Sequence, residues 1–221
     1  MADMDAVIKI GGSIINNGRE LLPLCRILTS LKNKYRFTVI AGGGVLADAI
    51  RNLQKKHGFS NTAAHFMALK AMNINSCIIK DLCPGMRLVD TAQKAQKIAA
   101  KKQIPILLAA KLIEKEKSLP KSWDLTSDSI ALYAAEKLKA TRTILVKNIN
   151  GICVSPGGRA VKKITALKLG KLKNNTCTDK YLPKLIQKNG IPVWVVSVKY
   201  PGRIKKAFDG VSGAGTLITK E

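Results

Sequence analysis

The stretch Ala6-Val7-Ile8-Lys9-Ile10-Gly11-Gly12-Ser13 decides the fold class. Its first five residues, mostly apolar and β-branched, read as a strand, and the two glycines and serine end it. A second stretch, Phe37-Thr38-Val39-Ile40-Ala41-Gly42-Gly43-Gly44, repeats the arrangement and runs straight into a helical pattern. In open α/β sheets, ligands bind just beyond the carboxyl ends of the strands. Glycine at that place lets backbone N–H groups approach phosphate oxygens with no Cβ in the way. The helix that follows Gly44 turns its positive end toward the same anion. One such turn is equally a plain tight connection. Two, each on a strand, with Lys9 just ahead of the first, point to phosphate binding. Neither turn fits GxxxxGK[ST] or GxGxxG, which disfavours a P-loop and a dinucleotide fold.

Outward from these turns, strand-like runs fall at residues 6–10, 37–41, 76–79, 104–109, 143–147 and 193–198. Helical spacing of apolar residues falls at 21–31, 45–56, 63–72, 91–101 and 128–138. Strands alternating with helices predict an α/β fold: a three-layer αβα sandwich with a mainly parallel central sheet. Residues 154–173, with Pro156, Gly157 and Gly158, read as a hairpin or loop. No repeat or low-complexity linker interrupts the 221 residues, so a single domain is expected over 1–221.

No apolar run approaches the ~18 residues of a membrane span. The N-terminus lacks the apolar core of a secretory signal, so a cytoplasmic location is expected. The five cysteines are odd in number and match no zinc spacing, and they read as reduced thiols. His57 and His65 are the only histidines, which excludes a histidine-rich metal site. The formal net charge of +24 fits either nucleic acid or a funnel for phosphorylated small molecules. Aromatic residues are only 5% and none interleave with a basic stripe, which ranks nucleic acid below the small anion.

Further motifs carry a family resemblance. These are Thr126-Ser127-Asp128-Ser129-Ile130-Ala131 before a helix, Thr143-Ile144-Leu145-Val146-Lys147-Asn148-Ile149-Asn150-Gly151-Ile152, and Gly213-Ala214-Gly215-Thr216-Leu217-Ile218. With the two glycine turns, the chain resembles the amino acid kinase superfamily over nearly its full length. Four stretches are similar to one archaeal branch of it: residues 60–70 with His65, residues 122–129, residues 178–183, and Lys199-Tyr200-Pro201-Gly202-Arg203. That branch contains the [5-(aminomethyl)furan-3-yl]methyl phosphate kinase of methanofuran biosynthesis.

The resemblance implies an acceptor-binding lobe over about 1–140, a nucleotide-binding lobe over about 141–221, and a homo-oligomer. It implies ATP with Mg²⁺ as donor and a small phosphate monoester as acceptor. Such an acceptor is already a nucleophile, so catalysis reduces to positioning and charge neutralisation. Lys9 and Asp128 are then the catalytic pair, Lys9 on the transferring phosphoryl group and Asp128 orienting the lysine. Gly11, Gly12 and Ser13 hold nucleotide phosphates, and Gly42, Gly43 and Gly44 serve the acceptor or the reacting phosphate. Asp48, Arg51, Trp123, Ser127 and Ser129 are candidates for the acceptor. Lys147, Asn148, Asn150, Gly151 and Ile152 are candidates for the nucleotide.

Asn148 and Asn150 stand where aspartates are commoner in the family. They remove two charges, so Mg²⁺ is expected on ATP phosphates and water, with no protein metal site. A second catalytic lysine is not placed; Lys180 lies in the right region but in a different motif. Asp48, Asp124 or Asp179 is the expected partner of an acceptor amine. Arg51 also reads as a surface arginine, Trp123 as core packing, and His65 as a hydrogen-bonded cleft residue. UMP and isopentenyl phosphate remain alternative acceptors, and an oxyanion-storage protein on the same fold is the alternative without turnover.

Overall fold

In the computed structural model, residues 3–114, 116–155, 157–172, 177–211 and 213–221 are described. The chain runs β1 (Ala6–Ile10), α1 (Gly12–Ile15), α2 (Gly18–Leu31), β2 (Phe37–Ala41), α3 (Gly44–His57), α4 (Asn61–Leu82), β3 (Met86–Val89), α5 (Ala92–Ala100) and β4 (Ile104–Leu107). It continues through α6 (Ala109–Ile113), α7 (Ser127–Lys137), β5 (Thr143–Lys147), β6 (Lys163–Thr165), α8 (Ala166–Lys171), α9 (Leu182–Asn189), β7 (Val193–Ser197), α10 (Gly202–Asp209) and β8 (Thr216–Thr219).

These strands form one sheet in the order β3-β4-β2-β1-β5-β7-β8-β6. All pairings are parallel except β7 with β8. The central strands β1 and β2 are buried on both faces, as parallel strands under helices must be. One apolar layer joins Val7, Ile40 and Leu145 to residues of α4, α5, α6, α7, α8 and α9. The other joins Ala6, Ile8, Ile10, Val39, Ile144 and Val146 to α2 and α10.

That alternation positions the site. Side chains two apart share a face, so Lys9 follows Val7 and Lys147 follows Leu145 onto the face covered by α7. Parallel register sets Ile10 beside both Ala41 and Val146, so the carboxyl ends of β1, β2 and β5 lie side by side.

The structure departs from the sequence reading in several places. Residues 76–79 belong to α4, where Ser76 donates to the Met72 carbonyl and Ile79 is fully buried. Cys77 and Ile78 between them are exposed, so the run follows a helical and not a strand pattern of burial, and the third strand is β3. The fourth strand ends at Leu107, and Ala109 opens α6. Residues 153 and 160 pair as an antiparallel bridge, as a hairpin would, but β6 and α8 follow within the stretch expected to be a hairpin or loop. Pro156 and residue 173 lie outside the described residues. The reading of five reduced thiols is corrected at one pair: Cys25 on α2 and Cys83 at the end of α4 form a disulfide across 58 positions. Spacing along the chain cannot show that α2 and α4 converge. Among the described residues no helix is long and apolar enough to cross a membrane.

Candidate active site

Asp128 is the second residue of α7 and is 3% exposed. Each of its carboxylate oxygens meets a lysine: Lys9 Nζ at 3.0 Å from Oδ1 and Lys147 Nζ at 2.6 Å from Oδ2. Lys147 also donates to the Cys177 carbonyl at 2.6 Å. Burial alone would raise the Asp128 carboxyl, but the charges of Lys147 and Lys9 overrule it and hold it at about 2. Burial pushes the Lys9 ammonium down from 10.5, with the Asp128 carboxylate opposing and Lys147 adding to the fall. With both ammoniums charged, the trio carries net +1 in a nearly water-free place, a centre built to receive an anion.

The amino end of α7 is itself held by a second acid. The Asp179 carboxylate accepts from the Thr126 N–H and hydroxyl, the Ser129 N–H and hydroxyl, and the Leu182 N–H. It thereby satisfies first-turn donors of both α7 and α9. Burial and the neighbouring Asp128 push Asp179 up, while the bonds from Ser129 and Thr126 hold it down. Asp179 therefore serves the frame of the site and has no exposed edge to offer an acceptor amine.

The two glycine turns pack backbone against backbone. A Cβ on Gly12 would lie 2.1 Å from the Gly44 nitrogen, and Gly44 itself adopts φ +54°. The N–H groups of Gly11 and Gly42 donate to Val146 O and Ile10 O, extending the sheet. Those two glycines shape the turns and do not offer donors. The N–H groups of Gly12, Ser13, Gly43 and Gly44 find no acceptor among the described residues. Asn75 of α4, 1% exposed, donates to the carbonyls of Gly42 and Gly43 at 2.7 and 2.9 Å. It fixes the peptide orientation of the triple-glycine turn.

Two cavities meet at this point. The first, about 240 Å³, runs from Lys9, Gly12 and Gly43 along α3 to Asp48 and Arg51, and across to His65, Met72 and Trp123. Arg51 stacks 4.4 Å over the Trp123 ring and pairs with Asp48 at 2.9 Å, while Trp123 donates to Gln54 at 2.6 Å. The second, also about 240 Å³, is lined by Lys9, Gly11, Gly12, Ser13, Lys147, Asn148, Ile149 and Cys177. Lys9, Gly12 and Ser13 line both.

Ser127 lines the first cavity, but Ser129 is fully buried beneath it, bonded to Asp179. Asn150, Gly151 and Ile152 line neither. Ile152 is buried and donates from its N–H to Thr216 of β8, on which Gly151 also packs closely. Lys180 is 85% exposed beside Asp124, away from Asp128. Lys147, expected only on the nucleotide side, is the second lysine of the ion trio. Its place two residues after Leu145 on a strand beside β1 is the signal that marks it. Nothing in sequence singled out Asn75.

Among the described residues no group of three histidines, cysteines or acids could hold a metal ion. The orphaned N–H groups and paired lysines instead form a cationic cradle of the kind that fits phosphates.

Comparison with known proteins places this geometry. The model of the amino acid kinase family matches residues 4–197. The chain is 28% identical to the [5-(aminomethyl)furan-3-yl]methyl phosphate kinase of Methanocaldococcus jannaschii, over 96% of each chain. It is 24% identical to a uridylate kinase of Archaeoglobus fulgidus, over 97% of this chain and all of that one. The crystal structure of uridylate kinase from Archaeoglobus fulgidus superposes with a TM-score of 0.76 at 20% identity, covering 98% of this chain and 100% of that one. With most of its length matched, and its cavities meeting over a lysine–aspartate–lysine trio, the chain belongs to the amino acid kinase family and is a kinase.

Proposed function

We propose that the chain transfers the γ-phosphoryl group of ATP to the phosphate of [5-(aminomethyl)furan-3-yl]methyl phosphate, giving the diphosphate used in methanofuran biosynthesis. The observation that carries this reading is the junction of two cavities across Lys9, Gly12 and Ser13. A donor in one and an acceptor in the other meet in line over one ammonium.

The Gly12 and Ser13 N–H groups and Lys147 receive the donor phosphates. Gly43 and Gly44, at the amino end of α3, receive the acceptor phosphate. An acceptor oxygen attacks the γ-phosphorus, the bond to the bridging oxygen breaks, and ADP leaves. Lys9 neutralises charge on the transferring group, and Asp128 keeps both lysines aimed at it. Mg²⁺ held by ATP phosphates and water would add charge neutralisation on the same oxygens. The apolar wall of Ala68, Leu69, Met72, Leu125 and Ile130 suits a furan ring. A uracil would bring polar edges that this wall leaves unpaired. The lobe division near residue 140, a homo-oligomer and a cytoplasmic location belong to the same reading.

The test is ADP formation from Mg-ATP with the furan phosphate, UMP, AMP and isopentenyl phosphate, with Lys9→Ala as control. Turnover on the furan alone, lost in the variant, supports the proposal. Turnover on UMP instead moves the acceptor and keeps the mechanism. Binding of ATP or oxyanions without turnover on any acceptor refutes it.

A further inference from the structure

We infer that Trp123 sets the length of acceptor that the first cavity takes: its ring is the end wall remote from the phosphate anchor, and tails long enough to reach it gain nothing further. The inference rests on the acceptor reading above and deepens it.

Trp123 lies in the loop before α7 and lines the first cavity. Its indole crosses from that side to α3, where the ring N–H donates to Gln54 Oε1 at 2.6 Å. An indole N–H can only donate, and Gln54 is turned to receive it. The Gln54 amide nitrogen is taken by the Phe59 carbonyl at 3.0 Å and by Asn61 Oδ1 at 2.9 Å, which leaves Oε1 for Trp123. The face of the ring is held as well. The Arg51 guanidinium stacks 4.4 Å from its centroid, and Asp48 holds that guanidinium at 2.9 Å. A ring held at both edge and face does not swing aside as a lone side chain would.

The helix α3 sets the span. In the acceptor reading the phosphate sits at Gly43 and Gly44, where α3 begins. Arg51 lies seven residues beyond Gly44 on the same helix, a rise of about 10 Å. Ala68, Leu69, Met72, Leu125 and Ile130 line the cavity beside this span, so a tail laid along it meets apolar surface. Each carbon added to an apolar tail is therefore favourable until the tail reaches the indole. A further carbon must push the ring away, and that strips the Trp123 N–H from Gln54 and the guanidinium from the ring face.

The experiment is calorimetric titration of n-alkyl phosphates, from methyl to octyl, with saturating Mg-ADP filling the second cavity. Wild type, Trp123→Ala and Trp123→Phe are compared. In wild type, affinity should rise about 4-fold per carbon and then level or fall at one chain length. Trp123→Ala should carry the rise past that break, binding the longest ligands at least about 10-fold tighter than wild type and methyl phosphate, which is too short to reach the ring, within about 3-fold. Trp123→Phe, with a smaller ring, should move the break part of the way. A wild type with no break, a break at the same length in Trp123→Ala, or equal loss at every length overturns the proposal. So does a wild type that binds none of the series. Binding is read without turnover, so failure of the furan as a phosphoryl acceptor, with the break in place, refutes the proposed acceptor and leaves this result standing.

Discussion

Asp128→Asn tests the reasoning at its centre, because one neutral-for-charged exchange of equal shape strands two ammoniums. The carboxylate lies 3.0 Å from Lys9 and 2.6 Å from Lys147. At an effective dielectric of about 20, each pair is attracted by about 5 to 6 kcal/mol before desolvation is counted. Most of that offsets the cost of taking the charges out of water. What the substitution exposes is the uncompensated remainder, about 3 to 5 kcal/mol for breaking a buried pair. Urea unfolding at neutral pH should show a loss of that size. Steady-state ADP release should fall by about 100- to 1000-fold in kcat, since Lys9 and Lys147 lose the group that aims them. The double variant with Lys147→Met should recover part of the stability, because one stranded charge is gone, and none of the rate. If Asp128→Asn keeps kcat within about 3-fold and unfolds at the same urea concentration, the trio neither holds the fold nor aims the lysines, and the reasoning fails.

Three further outcomes follow from the same geometry. Gly12→Ala places a methyl group 2.1 Å from the Gly44 nitrogen, so both turns must part; nucleotide binding by calorimetry should drop at least about 10-fold, whereas an unchanged Kd would show the turns are not a shared cradle. Asn75→Leu strips the donor from the Gly42 and Gly43 carbonyls; about 1 to 3 kcal/mol of stability should be lost, with KM for the acceptor rising more than KM for ATP. Asp128 lies at about 2 in the folded protein against an ordinary 3.8. It thus contributes stability that is full above about pH 4 and is lost as pH falls toward 2, about 2 kcal/mol in all; acid unfolding of Asp128→Asn should lack this component.

The sequence by itself determined the fold class and the chemical character of the site. Alternating strand and helix patterns, with glycine turns on β1 and β2, are local features, and local propensity sets them. Lys9 and the turns Gly11–Ser13 and Gly42–Gly44 stood out because phosphate chemistry needs those residue types beside a strand end, and Asp128 stood out only through the resemblance of residues 126–131 to the family's acidic motif before a helix. The residues 76–79 misled because so short an apolar run has no period of its own, and only packing turned Ser76 and Ile79 to the buried face of α4 and left Cys77 and Ile78 exposed. Tertiary structure alone decided which residues meet. Parallel register brought Lys147 to Asp128 and set β1, β2 and β5 abreast. The return of α4 along α3 put Asn75 under one end of the cavity and His65 toward the other. Asp179 reached back across 50 positions to hold Ser129 and the start of α7. None of these pairings leaves a mark in spacing, because the side chain's partner is chosen by the sheet's order and not by distance along the chain.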